Sequence, residues 1–325
     1  MLYLNKEAME GLCTMAQAID LCGQAARAHA QGKALVPLRT NLDLPQQGGQ
    51  ALFMPGFLGG VDALGVKIVS VYPGNSQKNL PAVPATMVML DETTGMVSSL
   101  MDGDFVTRLR TGALSGFATK LLAHPEAKRF VIIGTGGQAL TQVQAVLTAR
   151  PSLELVEVFD LDMERAQAFA QKAATLPQAE GKRVQATSDL TASVAKADII
   201  TTVTTSKKAV FDGSSLLPHC HVNGVGSYTP EMAEVPDQVV AEAALVVVDT
   251  PDALAESGDL INPIKAGLFS PERARPLGAL SEEEALPYQK QRTFFETVGN
   301  AAFDLIVASA IEKAARAEGK GQELR

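Results

Sequence analysis

Gly134-Thr-Gly-Gly-Gln-Ala139 reads as G-x-G-x-x-A, a spacing suited to holding a pyrophosphate. A side chain at the turn glycines would block the approach of phosphates to a helix N-terminus, where free N–H groups and the dipole favour anions. The hexapeptide alone is a weak signal. Its setting sharpens it: the apolar run Phe130-Val-Ile-Ile precedes it, a helical pattern over 137–149 follows, and Asp160 ends the next apolar run. An acid there accepts hydrogen bonds from a ribose 2′-hydroxyl and repels a 2′-phosphate. Gly134, Thr135, Gly136, Gly137, Gln138 and Asp160 are therefore candidate dinucleotide residues, with NAD(H) favoured and NADP(H) the alternative. Asp160 could instead simply cap the next helix. Thr201–Thr205, Thr204 among them, end a later strand at the sheet edge where ligands bind, although threonine is also an ordinary strand residue.

Two cations sit where a pattern of burial would not place them. Lys67 alternates in phase with Val69 and Val71, so strand geometry puts it on their face, where burial is costly without an anion. Val106, Arg110, Ala113, Phe117 and Leu121 form one helical stripe. A guanidinium on an apolar stripe suits a planar carboxylate, whether a substrate's or an internal Asp or Glu. Periodicity does not separate these two readings. Arg108 lies off the stripe and reads as solvated or structural. Arg39 shares a strand face with Asn41 and Asp43 and reads as polar surface. In His219-Cys220-His221 a strand would turn the histidines one way and the cysteine the other. No further ligand pair has metal spacing, so no metal is expected. The absence of G-x-S-x-G leaves little basis for a hydrolase triad.

The elements that must carry these residues divide into two textures. A helix is predicted over 5–32, capped by Asn5, followed by strands at 34–44, 50–54, 64–73 and 83–90. A long helix over 104–122, with Asp104 as N-cap, stops at His124-Pro125, because a residue before proline disfavours helix. From Arg129 onward strands and helices alternate: strands at 130–134, 156–160, 184–186, 198–204, 221–226 and 245–249, with helices at 137–149, 162–175 and 189–195. Such alternation implies a parallel sheet covered on both faces. A final helix over 292–317 could return to the first domain. The expected division is 1–124 with 292–325 as a substrate-binding and dimerisation domain, and 125–291 as the dinucleotide-binding domain.

With 325 residues, 46% of them hydrophobic and 20% charged, the chain can bury full cores unaided. A formal net charge of −8 argues against nucleic acid or an anionic membrane as partner. The N-terminal residues lack a basic segment followed by a sustained apolar run, and the longest apolar runs are strand-sized, so neither a secretory signal nor a membrane span is expected. Three cysteines without a C-x-x-C pair fit a reducing cytoplasm.

Val66-Lys-Ile-Val-Ser-Val-Tyr-Pro, Leu109-Arg-Thr-Gly-Ala, the 134–139 hexapeptide, Ala197-Asp-Ile-Ile-Thr-Thr-Val-Thr, His221-Val-Asn-Gly-Val-Gly-Ser, Glu256-Ser-Gly-Asp-Leu and Thr297-Val-Gly-Asn-Ala together make the chain resemble the ornithine cyclodeaminase/mu-crystallin family over nearly its whole length. The resemblance implies an α/β fold: a Rossmann domain plus an α+β domain that forms a homodimer through an open-barrel-like sheet. It implies that Arg39, Lys67 and Arg110 bind a substrate carboxylate, and that Thr111, Ser227 and Thr297 join the dinucleotide set. Where ornithine cyclodeaminases carry an aspartate after Asn223-Gly-Val-Gly, this chain has Tyr228. The carboxylate that would engage a diamine is missing. The chain therefore looks closer to members that reduce cyclic ketimines such as Δ1-pyrroline-2-carboxylate or Δ1-piperideine-2-carboxylate to proline or pipecolate. Lys67 and Tyr228 are its candidate proton-handling residues, although simple packing explains Tyr228 better. The alternatives are a cyclodeaminase, an alanine-type amino-acid dehydrogenase, and a non-catalytic binder of cofactor or small ligand.

Overall fold

The computed structural model of the chain describes residues 1–324. They divide into two compact units, Met1–Arg110 with the chain from Asn300 onward, and Thr111–Gly299. The division falls inside the helix Gly103–Leu122 and just before the helix Ala301–Glu318, not at His124-Pro125 and residue 292. Hydrogen bonding accounts for the first position. Beyond it, the Thr111 carbonyl accepts from Gln142, the Thr119 hydroxyl from Asn223 and the Leu121 carbonyl from Gln289, all within the second unit.

The first unit contains β1 (Leu2–Leu4), β2 (Ala34–Leu35), β3 (Thr40–Leu44), β4 (Gly49–Leu58), β5 (Ala63–Val71), β6 (Ala85–Leu90) and β7 (Val97–Asp102). One mixed sheet runs from the C-terminal strand Gln322–Glu323 through β1, β7, β6, β5 and β4 to β2, with β3 also on β4. The helix Ala301–Glu318 packs on β4, β5 and the helix Met15–Ala30. That packing covers the Lys67 face of β5, so Lys67 is 2% exposed while Ile68 beside it is 39% exposed. The single helix expected over 5–32 is two. Asn5 caps Lys6–Met9, and Thr14 with Gln17 forms a capping box on Met15–Ala30. Between them Gly11 takes φ +83°, which ends the first helix. Asp104 is not the cap of the helix Gly103–Leu122. Asp102 accepts the Phe105 N–H, and Asp104 pairs with Arg108 on the surface.

The second unit has β8 (Arg129–Ile133), β9 (Leu155–Phe159), β10 (Arg183–Ala186), β11 (Ile199–Thr202), β12 (His221–Gly224), β13 (Leu245–Val248), β14 (Ala274–Pro276) and β15 (Thr293–Glu296). All pairings are parallel, in the order β10-β9-β8-β11-β12-β15-β13-β14. This is a Rossmann sheet, in which the order of successive strands reverses between β8 and β11. Alternate residues of β8 serve opposite cores. Phe130 and Ile132 pack with Val143, Val156 and Ala166, whereas Val131 and Ile133 pack with Ile200, Val222 and Phe294.

The expected final helix from 292 is corrected here. Thr293-Phe-Phe-Glu is a strand between β12 and β13, and the helix begins only at Ala301, capped by Asn300. The aromatic pair favours a strand, and Gly299 at φ +81° breaks the chain before the helix. No helix of the described residues is long and apolar enough to cross a membrane.

Candidate functional site

In the first unit, the carboxylate of Asp304 accepts from Lys67 Nζ at 2.7 Å and from Arg110 Nε at 2.9 Å. Arg110 comes from the stripe read in the sequence, with Val106, Ala113, Phe117 and Leu121 all buried. Asp304 comes from the first turn of the helix Ala301–Glu318 and is completely buried. The sequence held a signal for it. An acid within Phe303-Asp-Leu-Ile-Val is as anomalous as a lysine among valines, and the same burial argument would have found it. Arg39, half-buried just before β3, lies close enough to Lys67 for its charge to be felt there.

The two buried cations and one carboxylate leave an uncompensated positive charge. Burial, opposed by Asp304 and assisted by Arg110 and Arg39, pulls the Lys67 pKa down to about 8, so Lys67 remains largely protonated at neutral pH. Asp304 is held below the usual carboxylate range because Arg110 and Lys67 outweigh its burial. The internal pairing weighed for the cations is thus present, but it satisfies only part of them. Arg110 reaches Asp304 through Nε, so the Nη edge of its fork lies outside that bond.

In the second unit, β8 delivers Gly134 at φ +101°, where an added methyl would strike the Val203 carbonyl at 2.8 Å. The chain then turns through exposed Gly136 and Gly137 into the helix Ala139–Ala149, whose N-cap, Gln138, makes no side-chain capping bond. An uncapped, glycine-fronted helix start suits a pyrophosphate. Asp160 follows β9. Its Oδ2 accepts from the Thr135 hydroxyl and N–H, and its Oδ1 from the Asp162 N–H. Partial burial opposes ionisation, but the Thr135 and Asp162 bonds hold the acid below its ordinary range. Asp162, not Asp160, caps the following helix. These residues fit a dinucleotide.

Others in the candidate set are committed internally. The buried Ser227 hydroxyl donates to the Met232 carbonyl and receives from Ser257. The Thr297 hydroxyl donates to Asp249 at 2.6 Å. Thr204 offers its hydroxyl to the Ser206 N–H, and Thr111 is buried with its carbonyl bound to Gln142. Tyr228 packs against the core that contains Phe294. His219 bonds Asp198 at 2.7 Å, while buried His221 bonds Thr293 and Asn223. Sequence reasoning missed Glu234, a buried acid that links two loops at the carboxyl edge of the sheet.

The sequence profile of the ornithine cyclodeaminase/mu-crystallin family matches residues 1–319. The chain belongs to that family. The Δ1-pyrroline-2-carboxylate reductase of Bacillus cereus is 35% identical over 328 residues, covering 100% of this chain and 99% of the relative. The structure of the Thermococcus litoralis Δ1-pyrroline-2-carboxylate reductase in complex with NADH and L-proline superposes with a TM-score of 0.90 at 34% identity, covering 100% of both chains. An archaeal alanine dehydrogenase dimer with bound NAD superposes at 0.86 and 26% identity, covering 100% of this chain and 99% of that one. Family membership thus accompanies both the Rossmann topology and the buried cation cluster.

Proposed function

We propose that the protein is a ketimine reductase that uses NADH, or less favourably NADPH, to reduce Δ1-pyrroline-2-carboxylate or its six-membered homologue to proline or pipecolate. The observation that carries this reading is the excess positive charge at Lys67, Arg110 and Asp304. A small monocarboxylate would neutralise it, with the Arg110 fork and Arg39 fixing its plane. The full-length similarity to reductases of this class supplies the reaction type. Gly134, Thr135, Gly136, Gly137 and Gln138 would hold the pyrophosphate and Asp160 the ribose, whose 2′-phosphorylated form its charge would repel. Thr111, Thr204, Ser227 and Thr297 complete the proposed cofactor set, Ser227 and Thr297 through backbone because their hydroxyls are spent.

When bound and reduced, the nicotinamide supplies a hydride to the imine carbon. The chain's own residues position the substrate and manage a proton. The cations hold the carboxylate, removing the freedom to tumble and slide that would otherwise dominate the barrier. The imine nitrogen must gain one proton as the C=N bond becomes CH–NH. Lys67, largely protonated at neutral pH, is one candidate donor. Tyr228 is the other proton-donor candidate.

A homodimer is part of the proposal. Leu35, Leu38 and Leu42, beside and within β2 and β3, are each at least half exposed, and the archaeal relative is a dimer. A cytoplasmic setting suits three free, buried thiols.

The test is oxidation of NADH, and separately NADPH, on addition of either cyclic imine, for the wild type and Arg110→Ala. Wild-type oxidation should be rapid. The variant should lose roughly 30-fold or more in kcat/KM, the equivalent of removing one partner from a buried charge contact, with NADH binding unchanged. Oxidation only with ammonia and an acyclic 2-oxo acid would instead indicate an amino-acid dehydrogenase. Ammonia release from ornithine without net NADH change would indicate a cyclodeaminase, and cofactor binding without turnover a binder.

A further inference from the structure

We propose that Glu234 is a positioning residue for the nicotinamide end of the dinucleotide site, acting by clamping together the loops that leave β11 and β12. This rests on the reading of Thr111–Gly299 as a dinucleotide-binding unit and deepens it.

A Rossmann sheet is built from two mononucleotide-binding halves that meet where the strand order reverses. Here β8 and β9 carry the glycine turn and Asp160, which take the pyrophosphate and the adenosine ribose. The other half of the cofactor therefore falls to the carboxyl ends of β11 and β12. Those ends are where Glu234 acts. Its Oε1 accepts the Thr204 N–H at 2.5 Å, beyond β11, and its Oε2 accepts the Gly226 N–H at 2.6 Å, beyond β12.

The clamp is itself held. The N–H groups of Glu234 and Val235 donate to Asp259 Oδ1 at 2.6 and 3.0 Å, and the Glu234 carbonyl accepts from Val210 at 2.8 Å. Gly226 has no room for a side chain, since a methyl there would overlap both the Thr204 carbonyl and the Glu234 carboxylate. The two loops are thus drawn together around one fully buried acid.

Only the ionised acid can accept at both oxygens. A protonated acid, or an amide, presents a donor to one of the two backbone N–H groups and leaves it unpaired in the interior. Burial pushes the Glu234 pKa up to about 7, opposed by the Thr204 and Gly226 bonds and reinforced by Asp259. Two further buried acids neighbour it, Asp259, which raises Glu234, and Glu296 on β15, which feels the Glu234 charge, while Lys207 pairs with the adjacent Ala233 through backbone. The clamp therefore closes above neutrality and loosens as pH falls through about 7.

The experiment is calorimetric titration of the full chain, wild type and Glu234→Gln, with NADH and with ADP-ribose, which lacks the nicotinamide. The variant should bind NADH about tenfold more weakly, the loss expected for one charge-assisted hydrogen bond, and bind ADP-ribose as the wild type does. Wild-type affinity for NADH should fall about tenfold from pH 8 to pH 6. ADP-ribose affinity should stay level, because Asp160 is held ionised across that window. Equal losses for both ligands, or no loss for NADH, would overturn the proposal. If the variant does not fold, the wild-type series decides, and NADH and ADP-ribose affinities that move in parallel with pH would reject it. A wild type that binds neither ligand would sink the dinucleotide reading and this inference with it. Turnover of an imino acid does not enter the measurement, so failure of the proposed substrate leaves the result interpretable.

Discussion

Lys67 is a structural liability that the proposed carboxylate substrate would turn to use. Removing a lysine from water is expensive, and a single carboxylate shared with Arg110 repays only part of that cost. A substrate anion would complete the compensation, so its binding should favour protonated Lys67. With the free-enzyme pKa near 8 and the ordinary value at 10.5, binding takes up a proton in the interval between them. Affinity for a proline-type carboxylate should be flat from pH 6 to 7.5 and then weaken, approaching tenfold per pH unit above about 8. Lys67→Arg, which does not titrate there, should bind less well and show no such decline up to pH 9.5. A wild-type profile that stays level to that pH would remove Lys67 from the carboxylate site. Asp304, the partner that sets this balance, was readable as an acid inside an apolar run. Its pairing with two cations 237 and 194 residues away was not.

Between elements, the helix Gly103–Leu122 approaches the helix Ala139–Ala149 at Gly112. A methyl there would stand 2.5 Å from the Thr141 carbonyl oxygen and 2.8 Å from its carbon, backbone atoms with little freedom to retreat. Gly112→Ala should gain about 1 kcal/mol of helix propensity but lose about 1–3 kcal/mol to overpacking. The net expectation is destabilisation of up to about 2 kcal/mol, measured by denaturant unfolding. Because Thr141 belongs to the first turn behind the glycine motif, NADH affinity should fall as well. A variant more stable than wild type would show that the helices separate without cost. The same scale explains which boundaries were legible. The stripe on 106–121 and the alternation in β8 belong to single elements, so periodicity displayed them. β7 was not, because Ser98 and Ser99 interrupt its apolar pattern, and their role as donors to Glu312 appears only once the last helix is in place.

Across the whole molecule, the Rossmann unit carries an unusual load of buried acid. Burial raises Glu234 to about 7 and Asp259 to about 6, and raises Glu296 well above its ordinary range. Each of these groups holds a proton in the folded state at a pH where the unfolded chain has released it. Their contribution to stability is present below about pH 4.5 and is lost as pH rises through the folded values. Buried His221, lowered to about 3, acts in the opposite sense, since it costs stability as pH falls below 6.5. Glu234 and Glu296 therefore impose a decline in thermal stability from pH 6.5 to pH 8, partly offset by Lys67, whose folded value of about 8 lies below its ordinary 10.5 and so acts in the opposite sense. Glu296→Gln, which keeps an acceptor for Ser257 and cannot titrate, should flatten that decline when melting temperature is followed against pH. An unchanged slope would show that Glu296 does not release its proton in this range.

The sequence by itself determined the fold class, the dinucleotide motif with its acidic strand end, the misplaced cations, and the family. All of these reside in local spacing or in runs of consecutive residues, where strand and helix geometry translate position directly into face and function. Only the tertiary structure decided that Thr293–Glu296 is a strand, that Asp304 joins Lys67 to Arg110, that the Ser227 and Thr297 hydroxyls are spent on Met232 and Asp249, and that Glu234 ties two loops together. The physical reason is common to all four. Parallel pairing and buried polar contacts join residues outside any one strand or helix period, and their energy comes from burial and partner geometry that no local pattern of residue types records.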